Sequence, residues 1–78
     1  MKKESYEDSY IIEYQREKLF EAIDQLPTAR RKKLMLKYFH GLTAKEIAAL
    51  EQVSVSTVTG ELSKARSQIK KYVERFFE

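Results

Sequence analysis

Apolar residues recur along this chain at helical spacing, in four successive runs. The first extends from about Tyr10 to Gln25 and puts Ile12, Leu19, Ile23 and Leu26 on one helical face. Pro27 ends it, because the proline ring disfavours helix in the residue before it. Thr28 is the expected N-cap of a second helix, Ala29 to His40. Gly41 follows where a left-handed backbone costs glycine little. Residues 1–9 are polar, carry no core pattern and are expected to form a flexible acidic lead. Residues 10–78 then make a single helical domain.

Thr43-Ala44-Lys45-Glu46 has the form of a capping box, in which the threonine hydroxyl takes one orphan amide and the glutamate reaches back to another. Ile47, Ala48 and Leu50 follow as the buried side of a short third helix. Glu51-Gln52-Val53 is the turn, and Ser54 caps the last helix. There Val58, Leu62, Ala65, Ile69, Val73 and Phe76 recur at steps of three or four, one stripe running to the C-terminus. Two helices joined by a tight turn, at about 43–70, have the form of a helix-turn-helix DNA reader. The expected fold class is therefore all-α: four helices around one core, with a helix-turn-helix inside it.

Composition narrows the function classes. Seventy-eight residues make one small domain with a limited core. With no cysteine there is neither a disulfide nor a thiolate metal site, which fits a reducing compartment. The apolar runs are far too short to span a membrane, and MKKESYEDSY is charged where a signal peptide is apolar. A soluble cytoplasmic protein with no membrane role is expected. The net charge of +3 is unevenly spread: residues 1–26 carry four Lys/Arg against seven Asp/Glu, and residues 27–78 carry eleven against five. An acidic lead before a basic body points to nucleic acid, although solvated helix faces also carry such charge.

A recognition helix needs an apolar inner face, small or polar outer residues in its first turns, and cations that meet phosphates. Val53, Val58 and Leu62 supply the inner face with Ile47, and small Ala48 lets two helices approach closely. Ser56, Thr57, Thr59, Gly60 and Ser63 are the expected base-facing residues. Arg30, Arg31, Lys64, Arg66 and Lys70 are the expected phosphate contacts, the first two from the basic run Arg30 to Lys33.

These residues resemble the fourth conserved region of bacterial sigma factors. The resemblance rests on Leu26-Pro27, Arg30 or Arg31, Tyr38-Phe39-His40-Gly41-Leu42-Thr43, Glu46-Ile47-Ala48, Ser54, Thr57-Val58, Leu62 and Ala65-Arg66, and covers about Leu19 to Val73. It implies a domain that binds the −35 promoter element through its second motif helix and touches RNA polymerase. It matches that region alone, with no room for one that melts and reads the −10 element. An excised domain or a free-standing sigma-like regulator is expected, and Met1-Lys2-Lys3 favours the latter. Two departures stand out. The family's turn usually has leucine then glycine, where this chain has Glu51 and Gln52. Basic or polar residues usually stand where Thr59, Gly60 and Glu61 stand here. Glu61 on a DNA face repels phosphates, or accepts a hydrogen bond from a cytosine amine. Gly60 costs a helix roughly 1 kcal/mol against alanine.

An alternative is a protein-interaction module, binding RNA polymerase, an anti-sigma-like protein or a second copy of itself as a homodimer, with weak DNA binding. Tyr6, Tyr10 and Tyr14 share a helical stripe that reads first as a packing surface and second as a stacking platform. Phe76-Phe77 reads as a core cap or a partner seam. His40 is expected in the last turn of its helix, suited to the helix dipole rather than to a metal. No nucleophile–base pair, phosphate loop or ligand cluster is legible, so neither an enzyme nor a cofactor is expected.

Overall fold

The computed structural model describes residues 6–76, with side chains from residue 13 onward. These residues form four helices: α1 (Tyr6–Asp24), α2 (Thr28–Tyr38), α3 (Ala44–Glu51) and α4 (Val55–Glu74). Helix α4 is the hub, because α1, α2 and α3 each pack against it, and α2 also meets α3. The core is small and continuous: Ile23 and Leu26 near the end of α1, Leu34 of α2, Ile47 and Ala48 of α3, and Val58, Leu62 and Ala65 of α4. Ile47 and Val58 are its most enclosed large side chains, so α3 and α4 interlock at the centre of the motif.

Several boundaries and faces differ from the sequence expectation. Helix α1 starts at Tyr6 rather than Tyr10, so residues 6–9 are helical rather than frayed. Among its described side chains, Ala22 and Ile23 enter the core, followed by Leu26 just past the helix. Leu19, expected in the core, lies a turn earlier and is 40% exposed; the side chain of Ile12 lies outside the described residues. Leu50 and Val53 were also expected inside, yet are 61% and 38% exposed. Helix α3 spans only 8 residues, and Ile47 and Ala48 fill its contact with the core before Leu50 comes round.

The helix ends follow local chemistry. Pro27 precedes α2 in extended conformation (φ −56, ψ 147), and no side chain caps that end. Thr28 is thus the first helical residue instead of the cap. Helix α2 stops at Tyr38, so His40 lies beyond it, its amide donating to the Met35 carbonyl at 3.2 Å. Gly41 takes the expected left-handed conformation at φ 71, and the Leu42 amide returns to the Leu36 carbonyl at 3.1 Å. The capping box of α3 is complete: the Glu46 amide donates to Thr43 Oγ1 at 3.1 Å, and the Thr43 amide to Glu46 Oε1 at 2.8 Å. Ser54 caps α4 by accepting from the Thr57 amide at 3.0 Å.

The far end of α4 is tied to α1. Glu21 accepts from Tyr72 Oη at 3.1 Å and from Lys18 Nζ at 3.2 Å. The Lys18 ammonium lies 4.4 Å from the centre of the Phe76 ring, and Phe76 packs on Tyr72 with ring centres 5.3 Å apart. Burial, and then the Glu21 hydrogen bond, raises the Tyr72 phenol above its ordinary pKa. Phe76 therefore closes the α1–α4 seam.

The turn between α3 and α4 accounts for both departures there. Gln52 holds the left-handed conformation itself (φ 60, ψ 46), and the Val53 amide donates to the Ala48 carbonyl at 3.0 Å. Glu51 points back to α2 and pairs with Lys33 at 2.9 Å, with only 8% and 12% of the two side chains exposed. A lysine that belongs to the basic run Arg30 to Lys33 is a buried strut.

Two predictions follow from the turn. A left-handed non-glycine residue is strained by about 1–2 kcal/mol, partly offset by the greater chain entropy of glycine when unfolded. Gln52→Gly is expected to stabilise the domain by about 1 kcal/mol and raise Tm by roughly 4–8 °C in a circular-dichroism melt. An unchanged or lower Tm would show that residue 52 is unstrained. Removing one partner of a buried pair strands the other charge, so Glu51→Leu is expected to cost about 3 kcal/mol. Adding Lys33→Met should recover most of that loss in urea unfolding, and additive losses would rule the pairing out.

Candidate nucleic-acid interface

Helical spacing turns the stripe Val58, Leu62, Ala65 and Ile69 inward and places Ser56, Gly60 and Ser63 on the opposite side of α4. Ser56, Thr57, Thr59, Gly60 and Ser63, the expected base-facing set, are all exposed. Their hydroxyls are not equivalent. Thr57 Oγ1 lies 2.9 Å from Ser54 Oγ within the cap, and Thr59 Oγ1 donates to the Ser56 carbonyl at 3.2 Å. Within the described residues Ser56 and Ser63 have no side-chain partner. A Cβ added to Gly60 would meet nothing within 4 Å, so no neighbour in the chain requires glycine there.

The five expected phosphate contacts separate into two groups. Lys64, Arg66 and Lys70 lie exposed along α4 beside the serine–glycine strip. The Lys64 side chain is 65% exposed, and its ammonium is 3.9 Å from Glu61. Arg66 uses one donor on Tyr38 Oη at 3.0 Å and keeps its other donors. Arg30 and Arg31 are engaged within the domain. Arg30 Nε donates to Glu61 Oε1 at 2.8 Å, and its Nη1 donates to Gln68 Oε1. Arg31 reaches the Asp24 carbonyl at 3.4 Å, at the C-terminal end of α1 where a cation suits the helix dipole. With Lys33 buried as well, the run Arg30 to Lys33 is not one basic face; only Lys32 of the four is fully exposed.

Glu61 needs the matching correction. Its carboxylate is turned to Arg30, with Lys64 3.9 Å away, and 26% of its side chain is exposed. The hydrogen bond from Arg30 holds its pKa below the ordinary carboxylate value, with the charges of Arg30, Lys64 and Lys33 adding to that effect and burial opposing it. The outer residues Ser56, Thr57, Thr59, Gly60 and Ser63 themselves carry no charge. Sequence reasoning missed Gln68, the Tyr38–Arg66 contact and the Lys33–Glu51 pair. Tyr38 and Arg66 are 28 positions apart, and Arg30 and Gln68 are 38 apart, so no local periodicity reports either contact.

Elsewhere the described residues offer little chemistry. They contain no group of three or more side chains placed to hold a metal ion. The open groove between α1 and α4, about 300 Å³, is lined by Ala22, Gln25, Gln68, Lys71, Tyr72 and Arg75, without a carboxylate. No described helix is long and apolar enough to cross a membrane.

A family model described as Sigma-70, region 4 matches residues 16–69, more than half of the chain. This chain belongs to the sigma-70 region 4 family. Its fold is thus that of a DNA-binding helix-turn-helix domain of sigma-type transcription regulation, in a family that is regulatory rather than catalytic. No curated protein matches the chain significantly. Within this region 4 domain, α3 and α4 are the two motif helices.

The Glu61–Arg30 pair predicts a pH dependence with a definite sign. A depressed carboxylate pKa contributes stability that is complete above the ordinary value of 4.5 and is lost as pH falls through the lower folded value. In urea unfolding, Glu61→Gln is expected to be less stable than the parent by a constant margin from about pH 7 to 5, and by a shrinking margin below about pH 4.5. A margin that stays constant to about pH 3 would show that the carboxylate charge contributes nothing.

Proposed function

We propose that this domain reads promoter-type duplex DNA through α4. Ser56, Gly60 and Ser63 face base edges, and Thr57 and Thr59 stand at the margins. Lys64, Arg66 and Lys70 meet phosphates. The observation that carries this reading is the outer strip of α4: small, hydroxyl-bearing, free of carboxylates and bordered by cations on the same helix. Open space around Gly60 supports close approach of a sugar–phosphate backbone. Such a role implies a cytoplasmic protein.

Selection from random duplexes followed by salt titration tests the proposal. An enriched motif is expected, with log K falling linearly against log salt. Lys64→Ala and Arg66→Ala are each expected to flatten that slope by about 0.9 and to weaken selected and unselected duplexes alike. Undetectable duplex binding at low salt, or slopes indifferent to both changes, would sink the reading.

A second reading is favoured by a separate surface. Phe20 and Phe39 pack with ring centres 6.3 Å apart while staying 44% and 54% exposed, with Leu19 and Tyr38 also exposed. Exposed aromatics on a small domain suit a protein partner, RNA polymerase first, and an anti-sigma-like protein or a second copy as alternatives. Co-purification with polymerase that survives Lys64→Ala and Arg66→Ala supports this reading.

A further inference from the structure

Helix α2 holds α4 from both flanks. Helical spacing puts Glu61 and Gln68 on one side of the inward stripe and Arg66 on the other. Arg30, near the start of α2, donates to both Glu61 and Gln68, so one guanidinium ties residues about two turns apart along one flank of α4. Tyr38, at the end of α2, accepts from Arg66 on the opposite flank at 3.0 Å. The Arg30–Glu61 pair is well shielded, with 20% and 26% of the side chains exposed. The residues between these contacts are modest in size, Val58, Leu62 and Ala65, and apolar contact is non-directional, so the flanking polar contacts add angular definition that the stripe does not supply. Side chains lie about 5–6 Å from a helix axis. A rotation of about 20° therefore carries an outer residue about 2 Å sideways, enough to break a hydrogen bond to a base edge.

We infer that Arg30 is a positioning residue for DNA recognition. With Glu61 and Gln68 it fixes the rotation of α4 about its axis and thereby aims Ser56, Gly60 and Ser63, and it does so without touching DNA. The inference rests on the DNA-reading function proposed above. It assigns Arg30 the role opposite to that of Lys64, since its contribution is to selectivity rather than to general affinity. It also gives Glu61 a reason to stand on a recognition helix: its charge is taken up by α2.

Fluorescence anisotropy on a selected and a scrambled duplex, across a salt series, separates the alternatives. Arg30→Ala and Glu61→Ala are each expected to lower the selected-to-scrambled ratio about tenfold, the scale of one lost base contact. The double variant should lose no more than either single, because both break one device. Arg30→Lys keeps the charge but not the two-armed geometry, and is expected to lose selectivity as Arg30→Ala does. In all four variants the salt slope should stay at the parent value. A slope that drops by about 0.9 in Arg30→Ala, or tighter binding in Glu61→Ala, marks Arg30 as a phosphate contact and overturns the inference. The rotation is also read without DNA, from residual dipolar couplings of the α4 amides in the free protein. Arg30→Ala and Glu61→Ala should shift them in the same pattern. Unchanged couplings overturn the inference whether or not the parent binds DNA, whereas shifted couplings in a parent that binds none would fault the proposed function alone.

Discussion

Val58, Leu62 and Ala65 form the stripe on which α1, α2 and α3 converge, and the rest of the domain depends on it. No other helix in the described fold touches all the rest so extensively. A domain of this size has a single apolar centre, so the helix that supplies three of its eight buried residues and meets every other helix also sets where those helices lie. The consequence for function is direct. Burying one side of α4 exposes the other, and the exposed side is the serine–glycine strip. The residues that build the fold and those that face outward are interleaved on the same twenty-residue helix.

Polar contacts then refine what the stripe leaves loose. The Arg30–Glu61–Gln68 contacts, the Tyr38–Arg66 contact and the Lys33–Glu51 pair all start from α2. Each joins α2 to the helix-turn-helix. Together they take cations and carboxylates out of the pool that solvent or DNA meets. What remains exposed on α4 from Val55 to Lys71 is more one-sided than the formal composition suggests: Lys64, Arg66, Lys70 and Lys71 beside neutral hydroxyls, with Glu61 answered from inside.

The turn shows how a departure from a family pattern is accommodated. Where the family usually has leucine and then glycine, Glu51 finds a buried cation in Lys33, and Gln52 accepts the left-handed conformation. The first exchange replaces apolar contact by an ion pair, which needs both partners to be tolerable in low dielectric. The second leaves local strain, which the surrounding caps at Thr43 and Ser54 are well placed to hold.

The sequence by itself determined the helix count, the capping box at Thr43, the left-handed Gly41, the cap at Ser54 and the inward stripe of α4. All of these are written within a few neighbouring positions, where backbone geometry and side-chain spacing act without reference to the rest of the chain. It also singled out the exposed strip Ser56, Gly60 and Ser63, since what faces away from a stripe follows from the same period. Only the tertiary structure decided the fate of the charges and of the marginal apolar residues. Leu19, Leu50 and Val53 share the periodicity of core residues, but burial depends on what packs opposite, and all three stay exposed. Arg30, Lys33, Glu51 and Glu61 read alike as surface charges, because an ion pair is defined by distance in space, and the partners here come together only when α2 crosses α4 and meets the end of α3.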